Sequence, residues 1–352
     1  MASAEDKFTS ALPAIRGRAN DYDRSGEFPA DDLADLAAAG AMRFAIPTDC
    51  GGEDLPSLDI HLKYEQLAAV SLSTALLLSQ RDSAVGMIDG AQDWPLRAQT
   101  LRKLANNEFF TTIGIAQLTT SRQGGRPALR ARRDAGGYRI EGLIPWSTGP
   151  ARSAFVMAGA AIEDSTNQQI LFALPTDLPK VRIDPPLPLV ALRSSFTTQV
   201  HCDGALLEEK WILRGPVERA LASRKKGVPL GQAFLAMGLC RGALDLIAEH
   251  DSARARSTRD RFQEQLSAIR QEVLRLCSPA GEAEVAAASA RIRGECNDLA
   301  VRLTHAAVAL YKGTALLADH PAQRLARETL FLLVWSCPDP VIDCTIEILS
   351  GE

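Results

Sequence analysis

A tryptophan and a threonine two positions apart, Trp146 and Thr148, end an alternating run that begins at the glycine pair Gly136–Gly137. The alternation on either side of that pair predicts a β-hairpin. Residues two apart face the same side of an extended strand, so the indole and the hydroxyl can offer a stacking surface and a hydrogen-bond donor to one planar ligand. The simpler interpretation is a half-buried strand whose tryptophan fills the core and whose threonine caps a turn.

Helical and strand-like periodicities divide the chain into three parts. Residues 1–110 show helical spacing, including one long amphipathic stretch predicted from Ser57 to about Gln80. In the next part the period switches to two and turn residues recur, which favours a compact barrel or sandwich. The last part is helical again. We therefore predict an α+β multidomain fold with an N-terminal α-helical domain (1–110), a middle β-barrel-like domain (111–214) and a C-terminal α-helical bundle (215–352).

Turn residues and proline set the bounds of the individual elements. Besides the hairpin, the expected strands are Thr111–Leu118, Phe155–Ala161, Ile170–Leu174, Val181–Ile183 and Gln199–Cys202. The expected C-terminal helices are 228–250, 260–277, 282–318 and 321–336, followed by a short packed piece, Pro340–Leu349.

Composition excludes several classes of protein. The 352 residues are 46% hydrophobic and 23% charged, as in ordinary globular proteins. A net charge of −4 gives no reason to expect a nucleic acid or an anionic membrane as partner. No apolar run approaches the roughly 20 residues that span a bilayer, and no secretory signal is visible. Seven cysteines without a Cys-x-x-Cys pair, and five histidines without metal-ligand spacing, predict reduced thiols, a cytoplasmic location and no metal.

The hairpin and the residues that follow it resemble the middle domain of the acyl-CoA dehydrogenase family, in which Gly-Tyr-x-Ile-x-Gly is followed by Trp-x-Thr. The resemblance extends from about residue 30 to the mid-330s and includes Tyr-Glu-x-Leu-Ala near the N-terminus. It implies a bound FAD rather than FMN. Trp146 would pack against the flavin ring, and the Thr148 hydroxyl, beside Ser147, would bond near the reactive nitrogen. Thr119 or Thr120 stands where the family has Thr-Glu-Pro, so a flavin contact and an ordinary strand-end residue are both open there.

The resemblance also implies FAD contacts across a subunit interface. Arg254 aligns with the arginine of the family's Arg-x-x-Phe-Gly motif, and Gln265 aligns with a later glutamine. Ser257-Thr258 replaces Phe-Gly, and Lys312-Gly313 replaces a Gly-Gly-x-Gly loop, so Arg254 can equally belong to a solvated, arginine-rich helix junction. A second group of arginines around Gly124–Gly125 could meet the phosphates of coenzyme A or of a flavin, or form a solvated loop edge.

The base that the family uses is missing from both of its positions. Dehydrogenation of an acyl thioester needs a group that removes the α-proton, and such a base contributes about 10²–10⁴-fold. Counting forward from Arg327 puts Ser336 in the glutamate position, and Val228 occupies the alternative position in the first bundle helix. Neither side chain is a base at neutral pH. Of the nearby acids, Glu328 is predicted to pair with an arginine on its helix and Asp339 to cap the next helix.

Three functions follow from these residues and the resemblance. The first is FAD-dependent CH–CH oxidation of a small-molecule acyl thioester such as acyl-CoA, by a homodimer or homotetramer. The second is a flavin-dependent monooxygenase on the same scaffold, which needs no α-proton base. The third is a cofactor-free homologue that serves as a binding or assembly partner.

Overall fold

The computed structural model describes residues 4–119, 127–165, 167–223, 230–281 and 283–351. The helices are α1 (Ala4–Ser25), α2 (Ala30–Ala38), α3 (Ser57–Ala68), α4 (Leu72–Asp89), α5 (Arg97–Ala105), α6 (Ala116–Thr119), α7 (Gly231–Ala248), α8 (Ala253–Leu276), α9 (Val285–Tyr311), α10 (Pro321–Val334) and α11 (Asp339–Ser350). The strands are β1 (Thr111–Gly114), β2 (Leu129–Asp134), β3 (Gly137–Ser147), β4 (Phe155–Ile162), β5 (Gln168–Pro175), β6 (Val181–Ile183), β7 (Thr198–Glu208) and β8 (Ile212–Glu218). The predicted fold class, with helices on either side of a strand region in the chain order, is confirmed.

One eight-stranded sheet forms the middle of the molecule. Its order is β6-β7-β3-β2-β4-β5-β8, and β1 lies parallel to β4. The predicted hairpin is present as β2 and β3, with Ala131 opposite Ile140 and Asp134 opposite Gly137. Gly136 takes the positive φ of +80° that the tight turn requires.

The structure corrects the predicted strand Thr111–Leu118. Only Thr111–Gly114 is a strand, and the chain then turns into the short helix α6. The buried amide of Gln117 donates to the carbonyls of Gly114 and Gly159, at 2.8 and 2.9 Å, and this bonding fixes the turn. At the C-terminal limit of the strand region, β8 continues to Glu218, beyond the predicted boundary at 214. The division into three domains stays a prediction.

The predicted single helix from Ser57 to Gln80 is two helices, α3 and α4, separated at residues 69–71. Ser71 begins the second one, because its side-chain oxygen accepts a hydrogen bond from the Thr74 amide at 3.3 Å. Apolar residues continue through the break, so the hydrophobic period alone does not reveal it. Serine is a typical N-cap residue and could have indicated the start of α4.

Close packing of α3 against α7 holds the N-terminal helices against the C-terminal helices. A side chain at Gly238 would lie 2.4 Å from the Glu65 carbonyl oxygen, and one at Gly242 would lie 2.4 Å from that of Ala69. Glycine therefore lets the two backbones approach closely. The buried Glu65 carboxylate also accepts hydrogen bonds from Arg241 of α7 and Arg270 of α8, at 3.1 and 2.9 Å, which joins the N-terminal helices to the C-terminal bundle.

We expect Ser71→Ala to lower the free energy of unfolding by about 1 kcal/mol, because α4 loses its N-cap. Ser252, which caps α8 through the Ala255 amide at 3.0 Å, should give a similar loss. Ser350→Ala is the control, since this exposed hydroxyl only donates to the Glu347 carbonyl and should stay within about 0.5 kcal/mol of the parent. Urea denaturation measures all three; equal stabilities for Ser71→Ala and the parent would contradict the cap.

Candidate functional site

A cavity of about 1290 Å³ lies where α3, α4, the start of α7 and the end of α10 meet the ends of β1 and β3. The cavity is lined by both apolar and polar side chains. Aliphatic and aromatic side chains such as Leu192, Leu330 and Phe331 form much of the lining, and hydroxyl, amide and imidazole groups are placed among them. A large concave site with a few convergent polar groups is what small-molecule sites have in common.

Trp146 and Thr148 both line this cavity. Trp146 is on β3, whereas Thr148 directly follows Ser147, the last residue of that strand. The pairing of β3 with β7 shifts register between Ile144 and Ser147, so Trp146 lies in an irregular stretch of β3. Its side chain is 50% exposed, which is unusual for a tryptophan within a sheet. The interpretation of Trp146 as a core residue is therefore wrong. Thr148 is buried, and its hydroxyl lies 3.3 Å from that of Thr197.

The hydroxyl of Thr148 belongs to a short chain of hydroxyls that we did not assign from the sequence. The Thr197 hydroxyl also lies 2.8 Å from that of Ser195, and both residues line the cavity. Leu192 and Phe196, on either side of Ser195, have left-handed φ values of +56° and +52°. Such backbone is costly outside glycine and clusters at ligand sites. The Arg-Ser-Ser-Phe-Thr spacing in this segment was the available signal.

The other residues predicted to bind a cofactor lie in three different places. The Ser147 hydroxyl points away from the cavity lining and donates to the Ile113 carbonyl at 3.1 Å. Thr119 is the last residue of α6. Arg254 and Gln265 lie on α8, outside the cavity lining of this chain, and the Gln265 amide oxygen accepts a hydrogen bond from Arg302 at 3.0 Å. Val228, Thr120 and the Gly124–Gly125 loop lie outside the described residues.

Ser336, in the family's glutamate position, lines the cavity directly after α10. It has a positive φ of +50°. The buried guanidinium of Arg293 donates to the Trp335 carbonyl at 2.7 Å, and Trp335 stacks on Phe331 with ring centroids 5.1 Å apart. This segment is therefore anchored from α9, and the group it holds in the cavity is a neutral hydroxyl.

The described carboxylates of the helical wall are engaged by other side chains. Asp82 accepts hydrogen bonds from the Tyr64 hydroxyl at 2.7 Å and from Arg81 at 2.6 Å. Asp89 is paired with Arg97. Neither carboxylate is therefore a free proton acceptor in this structure.

The two acids considered near the C-terminus also have structural roles. The predicted helical partner of Glu328 is confirmed as Arg324, whose guanidinium lies 3.0 Å from the carboxylate of this buried pair. The prediction that Asp339 caps α11 is wrong. The cap position is Pro338, and Asp339 is the first helical residue, where its negative charge favours the helix N-terminus without capping it.

The imidazole of His61 faces the cavity from α3. Its Nδ1 lies 2.6 Å from the Ser57 carbonyl oxygen, so Nδ1 carries the hydrogen and donates it. Burial lowers the pKa of His61 below its ordinary value, and the hydrogen bond to Ser57 opposes this shift only in part. The ring is therefore neutral at pH 7, with Nε2 as an acceptor. The sequence contained no metal or catalytic spacing that would have singled out this histidine.

Within the described part of the chain, no helix is long and apolar enough to cross a membrane. The same residues contain no group of three His, Cys, Asp or Glu side chains placed to hold a metal ion.

Comparison with known proteins agrees with the fold. Residues 11–108 match the family model described as acyl-CoA dehydrogenase, N-terminal domain. Over 335 residues the chain is 25% identical to the Mycobacterium leprae protein named probable acyl-CoA dehydrogenase fadE25, covering 89% of this chain and 85% of that one.

Two solved structures share the fold over nearly the whole chain. The FMN-bound dibenzothiophene monooxygenase TdsC of Paenibacillus sp. A11-2 has a TM-score of 0.82 at 14% identity, covering 99% of this chain and 98% of that one. The complex of glutaryl-coenzyme A dehydrogenase with glutaryl-CoA has a TM-score of 0.79 at 15% identity, covering 100% and 97%. The overall architecture is the fold of these two proteins. The chain is therefore acyl-CoA dehydrogenase-like: its N-terminal part matches the model of that family, and most of its length is similar to a protein named as a probable acyl-CoA dehydrogenase.

Proposed function

We propose that the protein is a flavin-dependent oxidoreductase that oxidises a CH–CH bond of an acyl thioester. The observation that carries the proposal is the meeting of Trp146 and Thr148 in one large cavity. A half-exposed indole beside a buried hydroxyl fits a flat, polar-edged ring system, which is the shape of an isoalloxazine. When bound there, the flavin supplies the two-electron oxidant that the side chains cannot supply.

The residues of this chain would bind and orient the flavin and the acyl group, and they would exclude water from the cavity. Trp146 would offer its indole to the flavin ring, and Thr148, whose hydroxyl lies 3.3 Å from that of Thr197, would donate its hydroxyl hydrogen to the ring edge. Leu192, Leu330 and Phe331 provide apolar surface for an acyl group, and removing water there strengthens the polar contacts inside. Ser336 replaces the carboxylate expected for proton removal, so the proton acceptor must come from another element.

We propose FAD as the bound form, with its outer half held by a second copy of the chain. Arg254 and Gln265 lie on α8 outside the cavity lining, so they reach a flavin only across an interface in a homodimer or homotetramer. Exposed apolar side chains in the C-terminal bundle, among them Leu316 and Ile346, offer area for such contacts. Analytical ultracentrifugation with and without FAD tests this arrangement; a monomer at micromolar concentration with FAD bound would contradict it.

The purified protein, incubated with excess FAD or FMN and then desalted, should keep a flavin absorption spectrum, and chromatography of the released cofactor should show FAD. Anaerobic addition of butyryl-, octanoyl- or palmitoyl-CoA should then bleach that spectrum. Failure to retain either flavin contradicts the enzymatic function and favours a cofactor-free binding role.

A flavin-dependent monooxygenase is the second candidate. The specific observation in its favour is the neutral Ser336 where the first function expects a carboxylate, and the likeness to the FMN-bound monooxygenase of Paenibacillus supports it. A flavin spectrum that is indifferent to thioesters, together with oxygen uptake when a flavin reductase is supplied, would favour this function over thioester oxidation.

A further inference from the structure

We propose that His61 is the group that accepts the α-proton of the acyl thioester, through Nε2, in place of the carboxylate that is missing at Ser336 and Val228. This inference rests on the proposed thioester oxidation. It concerns a side chain on α3, whereas the positions compared with the family, Ser336 and Val228, lie in the C-terminal half of the chain.

The hydrogen bond from Nδ1 to the Ser57 carbonyl, at 2.6 Å, fixes both the tautomer and the plane of the ring. A histidine held in this way presents the lone pair of Nε2 as its acceptor, which is the arrangement that a general base needs. The rings of Tyr64 and Phe234 lie with centroids 5.3 and 5.6 Å from that of His61 and support it from two sides.

The first residue of α7, Gly231, has no side chain, and His61 Nε2 occupies the space that a side chain would fill. A Cβ at Gly231 would lie 2.6 Å from Nε2, closer than real Cβ atoms approach another atom, and 3.1 Å from Cδ2, which is an unusually tight contact. Gly231 also lines the cavity. The absence of a side chain at the start of α7 therefore lets the imidazole edge reach the cavity between two helices.

Other described acceptors on the helical wall are less suited to take a proton. Both oxygens of Asp82 accept hydrogen bonds, from Tyr64 and Arg81, and Asp89 is paired with Arg97. The Ser336 hydroxyl is a base only at a pH far above neutrality. Among the described residues, none forms a hydrogen bond with His61 Nε2.

Burial keeps the imidazole neutral in the resting protein. The titratable groups that line the same cavity are Tyr64 on α3, Asp82 and Asp89 on α4, and the exposed Asp54, while α7 contributes the uncharged Gly231 and Phe234. Burial and the neighbouring Asp82 hold the pKa of Tyr64 well above its usual value, so the phenol is neutral as well. Burial is the largest cause of the lowered pKa of His61, and a base must be unprotonated to act.

The reaction balances without a further reactant. The Cα–H bond breaks and its proton goes to Nε2, while the electron pair of that bond forms the Cα=Cβ double bond. The hydrogen on Cβ leaves with its bonding electrons to the flavin, which is reduced as the thioester is oxidised. The imidazolium of His61 then returns its proton to solvent.

The primary test compares His61→Gln with the parent, both loaded with flavin. Anaerobic bleaching by octanoyl-CoA should slow by about 10²–10⁴-fold in His61→Gln, with the flavin affinity unchanged. In the parent the bleaching rate should increase with pH as His61 loses its proton, with a pKa below 6.5. This pH dependence should be absent from His61→Gln. His61→Glu, which restores a carboxylate, should recover part of the rate.

His305→Gln is the matched control, because His305 makes the same Nδ1 bond to a backbone carbonyl four residues earlier, at 2.7 Å, on an exposed face of α9. It should keep the parental rate and pH profile. Gly231→Ala tests access: its methyl group should displace the imidazole and slow bleaching, and the loss of thermal stability should be small because alanine is a better helix former than glycine.

A readout without flavin uses ¹⁵N NMR of the five histidines. His61 should show the Nδ1–H tautomer at pH 7 and titrate below 6.5, with its resonances assigned by their loss in His61→Gln. An Nε2–H tautomer, or a parental rate and pH profile in His61→Gln, overturns the assignment of His61 while leaving the thioester function intact. A parent that binds flavin but is not bleached by any of the three thioesters overturns both.

Discussion

Replacing Trp146 by alanine should weaken flavin binding by about 10- to 100-fold while leaving the protein almost as stable as the parent. Burying one large apolar side chain against a ligand is worth about 1.5–3 kcal/mol, and each 1.4 kcal/mol is roughly a factor of ten in affinity. The side chain is 50% exposed in this structure, so its removal takes little from the core.

The two effects are measured separately, by fluorescence titration with FAD and by thermal unfolding without flavin. Trp146→Phe should keep most of the affinity, because it retains a stacking ring. Leu206→Ala is the control for loss of an exposed apolar side chain, since Leu206 lies on β7 and is 41% exposed; it should change neither quantity. Unchanged affinity in Trp146→Ala would remove the indole from the flavin site.

Replacing Arg81 by methionine should cost about 3–5 kcal/mol of unfolding free energy, because a buried charge loses its partner. Arg81 is only 1% exposed. It donates to the Asp82 carboxylate at 2.6 Å and to the carbonyls of Met42 and Leu104 at 2.7 and 3.1 Å. Without it, Asp82 stays buried with only the Tyr64 hydroxyl as donor, and two carbonyls lose a hydrogen bond.

Urea denaturation of Arg81→Met, Asp82→Asn and the double variant measures the coupling. The double variant should be more stable than the sum of the two single losses predicts, because it leaves no unpaired buried charge. Arg16→Met is the control, because the Arg16–Asp245 pair is exposed, at 42% and 44%, and such pairs contribute at most about 1 kcal/mol. Equal losses for Arg81→Met and Arg16→Met would contradict the role of burial.

Local sequence chemistry was sufficient for the hairpin. It depends on the two-residue period of a strand and on glycines in a tight turn, which short-range sterics impose wherever the segment lies. The helical parts on either side of the sheet were predictable for the same reason. The break at Ser71 was missed because neighbouring helices cover apolar residues on both sides of it, and burial by tertiary packing does not follow the period of one helix.

The sequence by itself determined the order of helical and strand regions, the strand that carries Trp146, and the neutral residues in the two expected base positions. Only the tertiary structure places the Thr197 and Ser195 hydroxyls within hydrogen-bond distance of one another and of Thr148. It also shows that Asp82 accepts hydrogen bonds from Arg81 and Tyr64, and that His61 packs against Gly231 at the edge of the cavity. Each of these contacts joins at least two segments that are separate in the chain: Thr148 with Thr197, Tyr64 with Asp82, and His61 with Gly231. Their distances depend on how those segments pack together, and residue spacing along one segment carries no information about such distances.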